Sequence, residues 1–222
     1  MSNETESLDC KTVNIGDAPI GTVIWLHGLG ASADDFEPIV PMLELNHSLK
    51  FVFPNAPERA VTINGGMQMR AWYDIDPGAP LAGTDDINES AKQIAELINA
   101  EKADGIPARR VTLAGFSQGG VIALQLGLSH DERLAGIMAL STHVHDHERL
   151  SERVSFANID VPIFMAHGRG DAMIPITRAI TSRQALMDLN YAVEWHEYNM
   201  GHQVCPEEIQ QIGAWLNHIY TS

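Results

Sequence analysis

Residues 115–119 read Gly-Phe-Ser-Gln-Gly and follow the strand-like run "VTLA". A serine between two glycines, where an apolar run gives way to helix-like sequence, has the G-x-S-x-G form of a nucleophile elbow. The glycines matter because strand and helix must approach where a Cβ would collide, and because Ser117 must occupy a strained turn. A turn that merely contains serine is the bland alternative, and so short a string also arises by chance. The setting between strand and helix favours chemistry. Backbone N–H groups opening the helix at Gln118 would face negative charge developing on a reacting carbonyl oxygen.

Serine alone is a weak nucleophile, so Ser117 requires a base, and the base requires an orienting acid. In this arrangement the acid and then the histidine follow in chain order, each after a strand. "VPIFMAHGRGDAMIP" supplies Asp171 in a glycine-rich loop, and "YAVEWHEYNMGHQVCPEE" supplies His202 just before a helix. His202 would take the serine proton and deliver it to the leaving group, while Asp171 fixes the ring tautomer. Singly, each reads as an ordinary loop residue; their order and context carry the argument. An oxyanion hole also draws an N–H from an early strand-to-helix loop, and "VIWLHGLGASADDF" (23–36) has that form. The expected donors are the backbone N–H groups of Leu29 and Gln118. Gly28 and Gly30 give that loop its latitude, although a lone glycine pair would suit any tight turn.

Other reactive side chains fall outside this scheme. His143, His145 and His147 alternate along "THVHDHE", and in an extended segment they would share a face and invite zinc. No H-E-x-x-H pattern accompanies them and the serine mechanism requires no metal, so neither metal nor cofactor is expected. Cys205 follows His202 by three residues but lacks an elbow and an acid of its own; helix packing is the better reading. His27 and His167 read as residues that order the loops after them. Met67, Trp72, Leu81, Val144, Ile174 and Met200 are the candidate apolar walls of a substrate pocket. Trp72 reads equally well as a channel wall or a loop anchor.

These residues need a scaffold that brings distant loops to one place. Apolar, β-branched runs at 21–26, 49–53, 110–115, 134–140, 161–167 and 191–198 read as strands covered on both faces. Helical patterns lie at 34–44, 85–103, 118–130, 176–189 and 206–220. In the clearest of them Ile87, Ala91, Ile94, Ala95 and Ile98 fall three or four apart behind an acidic first turn. The alternation predicts one α/β domain over residues 1–222, with a mostly parallel central sheet flanked by helices. Residues 54–84 carry glycine pairs, prolines and little periodicity, yet are too apolar for disorder, so an ordered binding loop over the active face is expected.

Composition excludes several classes. Fourteen Lys and Arg against 29 Asp and Glu give a formal charge of −15. That balance disfavours nucleic acid and anionic membranes as partners and suits a very soluble surface. No apolar run is long enough to span a bilayer, so no stable membrane insertion is expected. The two cysteines make no disulfide framework, and the N-terminal "MSNETESLDC" lacks an export signal, which makes the cytoplasm the default location. Monomer and homodimer are equally compatible with the sequence.

The strings "VIWLHGLGA", "FVFPNAP", "TINGGMQMRAWYDI", "AGFSQGG", "LAGIMALS", "FMAHGRGD" and "GHQVCPEE" coincide in order along nearly the whole chain. In them the chain resembles the phospholipase/carboxylesterase family of small α/β-hydrolases, which includes acyl-protein thioesterases and bacterial carboxylesterases. The resemblance implies a Ser117–Asp171–His202 triad with Leu29 and Gln118 as donors, an α/β-hydrolase fold without a large lid domain, and hydrolysis of esters or thioesters through an acyl-enzyme. The chain departs from the family where a short, mostly apolar segment usually follows "ALS" and "THVHDHERL" stands instead. That loop is expected to border the pocket, so acyl preference does not carry over. The leading expectation is a serine carboxylesterase or thioesterase acting on short- to medium-chain acyl esters or thioesters. An acyl-protein thioesterase or lysophospholipase for long chains, acting on acylated protein or lysophospholipid, uses the same triad and is the alternative. A serine peptidase has no specific feature in its favour. A binding module on an inactive scaffold is the reading from a different class, and the complete set of reactive residues argues against it.

Overall fold

In the computed structural model, which describes residues 7–221, the apolar runs become the interior of a seven-stranded sheet. Residues 1–6, which hold part of the segment read for export signals, and residue 222 lie outside the described residues. In chain order the strands are β1 (Cys10–Ile15), β2 (Gly21–Leu26), β3 (Leu49–Pro54), β4 (Glu58–Val61), β5 (Met67–Arg70), β6 (Val111–Phe116), β7 (Gly136–Leu140), β8 (Ile163–Gly168) and β9 (Val193–Tyr198). The helices are α1 (Thr84–Ala103), α2 (Gln118–Ser129), α3 (Ile176–Asp188) and α4 (Pro206–Ile219). The main sheet runs β1-β3-β2-β6-β7-β8-β9, parallel throughout except for the antiparallel edge strand β1.

Period-two alternation sends side chains to two cores. Ile24, Leu26, Leu113 and Ile137 pack with Ile87, Ile94 and Ile98 of α1, Val121 and Leu124 of α2, and Leu186 of α3. Val23, Trp25, Phe51, Ala114, Met138 and Phe164 face the other way, against Ile209, Ile212 and Trp215 of α4. Burial on both faces is why these strands read as continuous apolar runs rather than alternating ones. The result is an α/β-hydrolase arrangement with no large inserted lid. No described helix is long and apolar enough to cross a membrane.

Three elements differ from the expectation. Residues 34–44 form no α-helix; a six-residue 3-10 turn spans Glu37–Met42, because Pro38 and Pro41 have no N–H to donate to a helical ladder. The 54–84 stretch is ordered but not structureless. It contains the hairpin β4–β5, paired from Glu58↔Arg70 to Val61↔Met67, and Asp74 caps its turn by accepting from the N–H and hydroxyl of Thr62. Strand β1 is an addition to the expected strands, since its half-buried "CKTVNI" has no apolar run.

Candidate active site

Sheet order determines what meets what. The C-terminal ends of β2, β6, β8 and β9 release the loops carrying Leu29, Ser117, Asp171 and His202, so all four loops emerge at one edge. Ser117 stands between β6 and α2 with φ 55° and ψ −118°, a positive-φ backbone that a residue with a Cβ rarely adopts. The elbow holds because its neighbours lack side chains. A Cβ on Gly115 would lie 2.2 Å from the Gly119 oxygen, and one on Gly119 would lie 2.5 Å from the Leu26 oxygen. The backbone of Ser117 is fixed by its N–H, which donates to the Leu140 oxygen at 2.9 Å, and by the Thr142 hydroxyl, which donates to its carbonyl at 2.6 Å.

The structure brings Ser117, His202 and Asp171 into one hydrogen-bonded chain. His202 Nε2 lies 2.9 Å from Ser117 Oγ, and Nδ1 lies 2.7 Å from Asp171 Oδ2. With its proton on Nδ1, the ring donates to the carboxylate and accepts from the serine hydroxyl. The Phe116 ring packs against His202 at a centroid distance of 4.8 Å. The Asp171 side chain is wholly buried, which by itself raises its pKa. The hydrogen bond from His202 and those from the Ile174 and Met173 N–H groups outweigh burial and hold the carboxyl below its ordinary value. His167 closes the same loop, its Nε2 2.8 Å from the Ile174 oxygen and 3.4 Å from Asp171 Oδ2.

The loop after β2 is held by His27. Its Nε2 accepts from the Ala56 N–H at 3.0 Å, so the proton sits on Nδ1, which donates to the Gly28 oxygen at 2.7 Å. Burial lowers the pKa of His27 and keeps the ring neutral in this role. In a trans peptide the C=O and N–H point opposite ways, so holding the Gly28 oxygen turns the Leu29 N–H to the other side of the loop. Gly28 abuts Ser117: a Cβ there would lie 3.4 Å from Ser117 Cβ. Among the described residues, neither the Leu29 N–H nor the Gln118 N–H has an acceptor.

One role was not visible in the sequence. The buried Gln118 side chain accepts from the Trp72 N–H at 2.8 Å and donates to the Tyr73 oxygen at 2.6 Å, clamping the 71–74 segment to the start of α2. Nothing in the string Gly-Phe-Ser-Gln-Gly reveals that amide's destination.

The six pocket candidates do not act alike. Trp72 is wholly buried, and its indole N–H donates to the His27 oxygen at 2.9 Å, so it anchors the loop after β2 rather than lining a channel. Met67 is 63% exposed on the hairpin. Met200 is buried beside the Asp171 loop, where its carbonyl accepts from Gly170, and Ile174 contributes chiefly its backbone. Leu81 and Val144 share a cleft of about 410 Å³ with His143, His145, Asp146 and Arg178. The histidine segment thus borders a cleft, and two of its rings are engaged. His143 Nε2 lies 2.8 Å from an Arg178 nitrogen, and His145 Nε2 lies 2.8 Å from the Thr84 hydroxyl. A larger cavity, about 650 Å³, opens at the opposite edge among Arg109, Arg133, Pro162 and Trp215, away from all of this chemistry.

A buried acid, a histidine and an elbow serine joined by hydrogen bonds at the C-terminal edge of this sheet define a serine hydrolase. Residues 9–220 match the Phospholipase/Carboxylesterase family, and the chain belongs to it. It is 37% identical over 209 residues to acyl-protein thioesterase 1 of Yarrowia lipolytica, covering 90% of this chain and 92% of that one. It is 37% identical over 186 residues to the Schizosaccharomyces pombe protein of the same name, covering 83% of each. Among solved structures it resembles Zea mays acyl-protein thioesterase 2 with a TM-score of 0.85 at 25% identity, over 96% of this chain and 99% of that one. Esterase or thioesterase activity of the serine-hydrolase type is therefore the activity of this chain's family.

Proposed function

We propose that this protein is a serine thioesterase that releases acyl groups from acylated protein cysteines. The observation that carries the chemistry is the Ser117–His202–Asp171 chain, with its 2.9 and 2.7 Å links. Ser117 Oγ attacks the thioester carbonyl as His202 Nε2 takes its proton. The Leu29 and Gln118 N–H groups receive the oxyanion of the tetrahedral intermediate. Its collapse breaks the C–S bond, and the thiol leaves with the proton from His202. Water, deprotonated by the same ring, then attacks the acyl-serine and restores Ser117 with release of the carboxylic acid. Asp171 stays ionised and holds the tautomer.

The protein substrate is supported by the relatives, several of which bear the name acyl-protein thioesterase at 31–37% identity. This favours an acylated protein over the small esters that the sequence put first. The test compares an S-acylated cysteine peptide with the matching O-ester and a lysophospholipid, each in a series from short to long acyl chains, with Ser117→Ala as control. Thiol release from the peptide that disappears in the variant is expected. Turnover of esters alone would return the reading to a carboxylesterase, and a clear preference for lysophospholipid would make it a lysophospholipase.

A further inference from the structure

Behind Asp171, three buried polar atoms stand without a partner among the described residues: Ser141 Oγ, His143 Nδ1 and His167 Nδ1. We infer that they enclose a site for one water molecule, and that this water, by holding the His167 ring, positions Asp171 for the reaction. The inference rests on the Ser117–His202–Asp171 mechanism proposed above and not on which acyl group is cleaved.

Sheet register and two hydrogen bonds bring the three residues together. Leu140 and Ala166 are paired at the ends of β7 and β8, so Ser141 and His167 come next along the two paths. The Ser141 N–H donates to the Ala166 oxygen at 2.8 Å. Ser141 takes a φ of 47°, a strained backbone of the kind that gathers at functional sites. His143 follows two residues later, and both rings then reach the same short segment after Asp171. His167 Nε2 lies 2.8 Å from the Ile174 oxygen, and His143 Nε2 lies 2.8 Å from a nitrogen of Arg178, four residues further on. With both Nε2 atoms spent on that segment, the Nδ1 atoms, each bonded to Cγ, lie nearer their own backbones at the ends of β7 and β8. The rings are close enough for His167 to bear on the titration of His143.

The proton positions decide what the site takes. A carbonyl only accepts, so His167 Nε2 carries the proton, and in the neutral ring Nδ1 keeps a lone pair. A guanidinium only donates, so His143 Nε2 is the acceptor and its proton sits on Nδ1. Burial, and after it the charge of Arg178, lower the pKa of His143 to about 3, so that ring is neutral. An orphan donor thus stands with an orphan acceptor and a hydroxyl that can play either part. A cation finds no lone pair on His143 Nδ1, and an anion is opposed by the one on His167 Nδ1. Water suits both, accepting from His143 and donating to His167, with Ser141 Oγ as its third partner, the number a buried water ordinarily has. The three side chains belong to residues no more than 8% exposed, so each group left unpaired would carry its full desolvation cost. The effect reaches Asp171 through His167. That ring holds the Ile174 carbonyl and lies 3.4 Å from Asp171 Oδ2, while the Ile174 N–H donates to Oδ1 at 2.8 Å.

Two measurements on the full chain test this. A high-resolution crystal structure of the wild type should show a water within hydrogen-bond distance of Ser141 Oγ, His143 Nδ1 and His167 Nδ1, and imidazole ¹⁵N spectra should show opposite tautomers for the two rings. No water touching both rings, or the same tautomer in both, overturns the site. Kinetics on one activated ester tests the positioning. His143→Leu removes the donor and should lower kcat about tenfold, the worth of one hydrogen bond, with KM unchanged. It should also shift or broaden the far-downfield proton of His202 Nδ1–H. His143→Asn returns an amide N–H near the place of Nδ1 and should restore most of both. Ser141→Gly removes the hydroxyl at a backbone that glycine adopts without strain, so the fold is safe there, and kcat should fall severalfold with the same change in the His202 proton. Equal losses in His143→Leu and His143→Asn, a rise in KM without a fall in kcat, or an unchanged His202 proton in Ser141→Gly would overturn the positioning role. A wild type no more active than Ser117→Ala would count against the hydrolase mechanism, while the crystal and ¹⁵N readings would still decide the water site.

Discussion

Ser117→Gly and Ser117→Ala should differ in stability in the direction opposite to the usual one. Both remove Oγ and its hydrogen bond to His202, and both are expected to abolish turnover, so their difference isolates the backbone. At φ 55°, ψ −118° an alanine keeps its Cβ in a region that non-glycine residues rarely occupy. That strain costs about 1–3 kcal/mol. Glycine escapes it but loses about 0.5–1 kcal/mol through the greater freedom of its unfolded chain. The balance leaves the glycine variant more stable by up to about 2.5 kcal/mol, with a mid-range near 1 kcal/mol or about 2–4 °C in Tm for a chain of this size. At an ordinary helix or strand position alanine would be the more stable by about 0.5–1 kcal/mol. Paired thermal or urea unfolding of the two folded, inactive variants measures the difference directly. An alanine variant as stable as the glycine variant, or more so, would refute the claim that the elbow holds Ser117 under strain.

Asp171→Asn preserves the shape of a buried side chain that accepts from three directions but removes the charge that favours the Nδ1–H tautomer of His202. Single-turnover kinetics on an activated ester should show kcat reduced by roughly 10³–10⁴-fold with little change in binding; near-normal turnover would remove Asp171 from the mechanism. Glu208 offers a pH test. It lies wholly buried in the first turn of α4, and burial pushes its carboxyl from an ordinary 4.5 to about 8, against the pull of the Cys205 N–H. Across that window the folded protein holds a proton that the unfolded chain has lost, so stability falls as pH rises toward about 8. Glu208→Gln should remove the decline, gaining Tm over the wild type at the alkaline end and not at the acid end; parallel melting curves would show that Glu208 does not titrate in this range.

Much of the site was legible because elbow chemistry is local. The pair Gly115 and Gly119 announced a close approach of strand and helix, and the structure shows the atoms they would strike. Strands buried on both faces and helices with a three-four apolar repeat were equally readable, since each depends on its own neighbours in sequence. The hairpin in 54–84 and the edge strand β1 were not, because their residues are half-exposed and their pairing partners lie elsewhere in the chain. Two prolines disguised as helix at 34–44 show the same limit: apolar spacing survived while the backbone donors were missing.

By itself, then, the sequence determined which groups could react, in what order they follow, and that they ride on alternating strands and helices. Tertiary structure alone decided where their side chains end. His202 meets Ser117 across 85 residues and Asp171 across 31, because β6, β8 and β9 are placed in one sheet with their C-terminal ends at the same edge. The same placement sent the Trp72 indole to the His27 oxygen instead of a channel and joined His143 to Arg178 across 35 residues. Local preference fixes the conformation of an element, but a hydrogen-bond partner is chosen by distance, and distances between elements exist only after the sheet has formed.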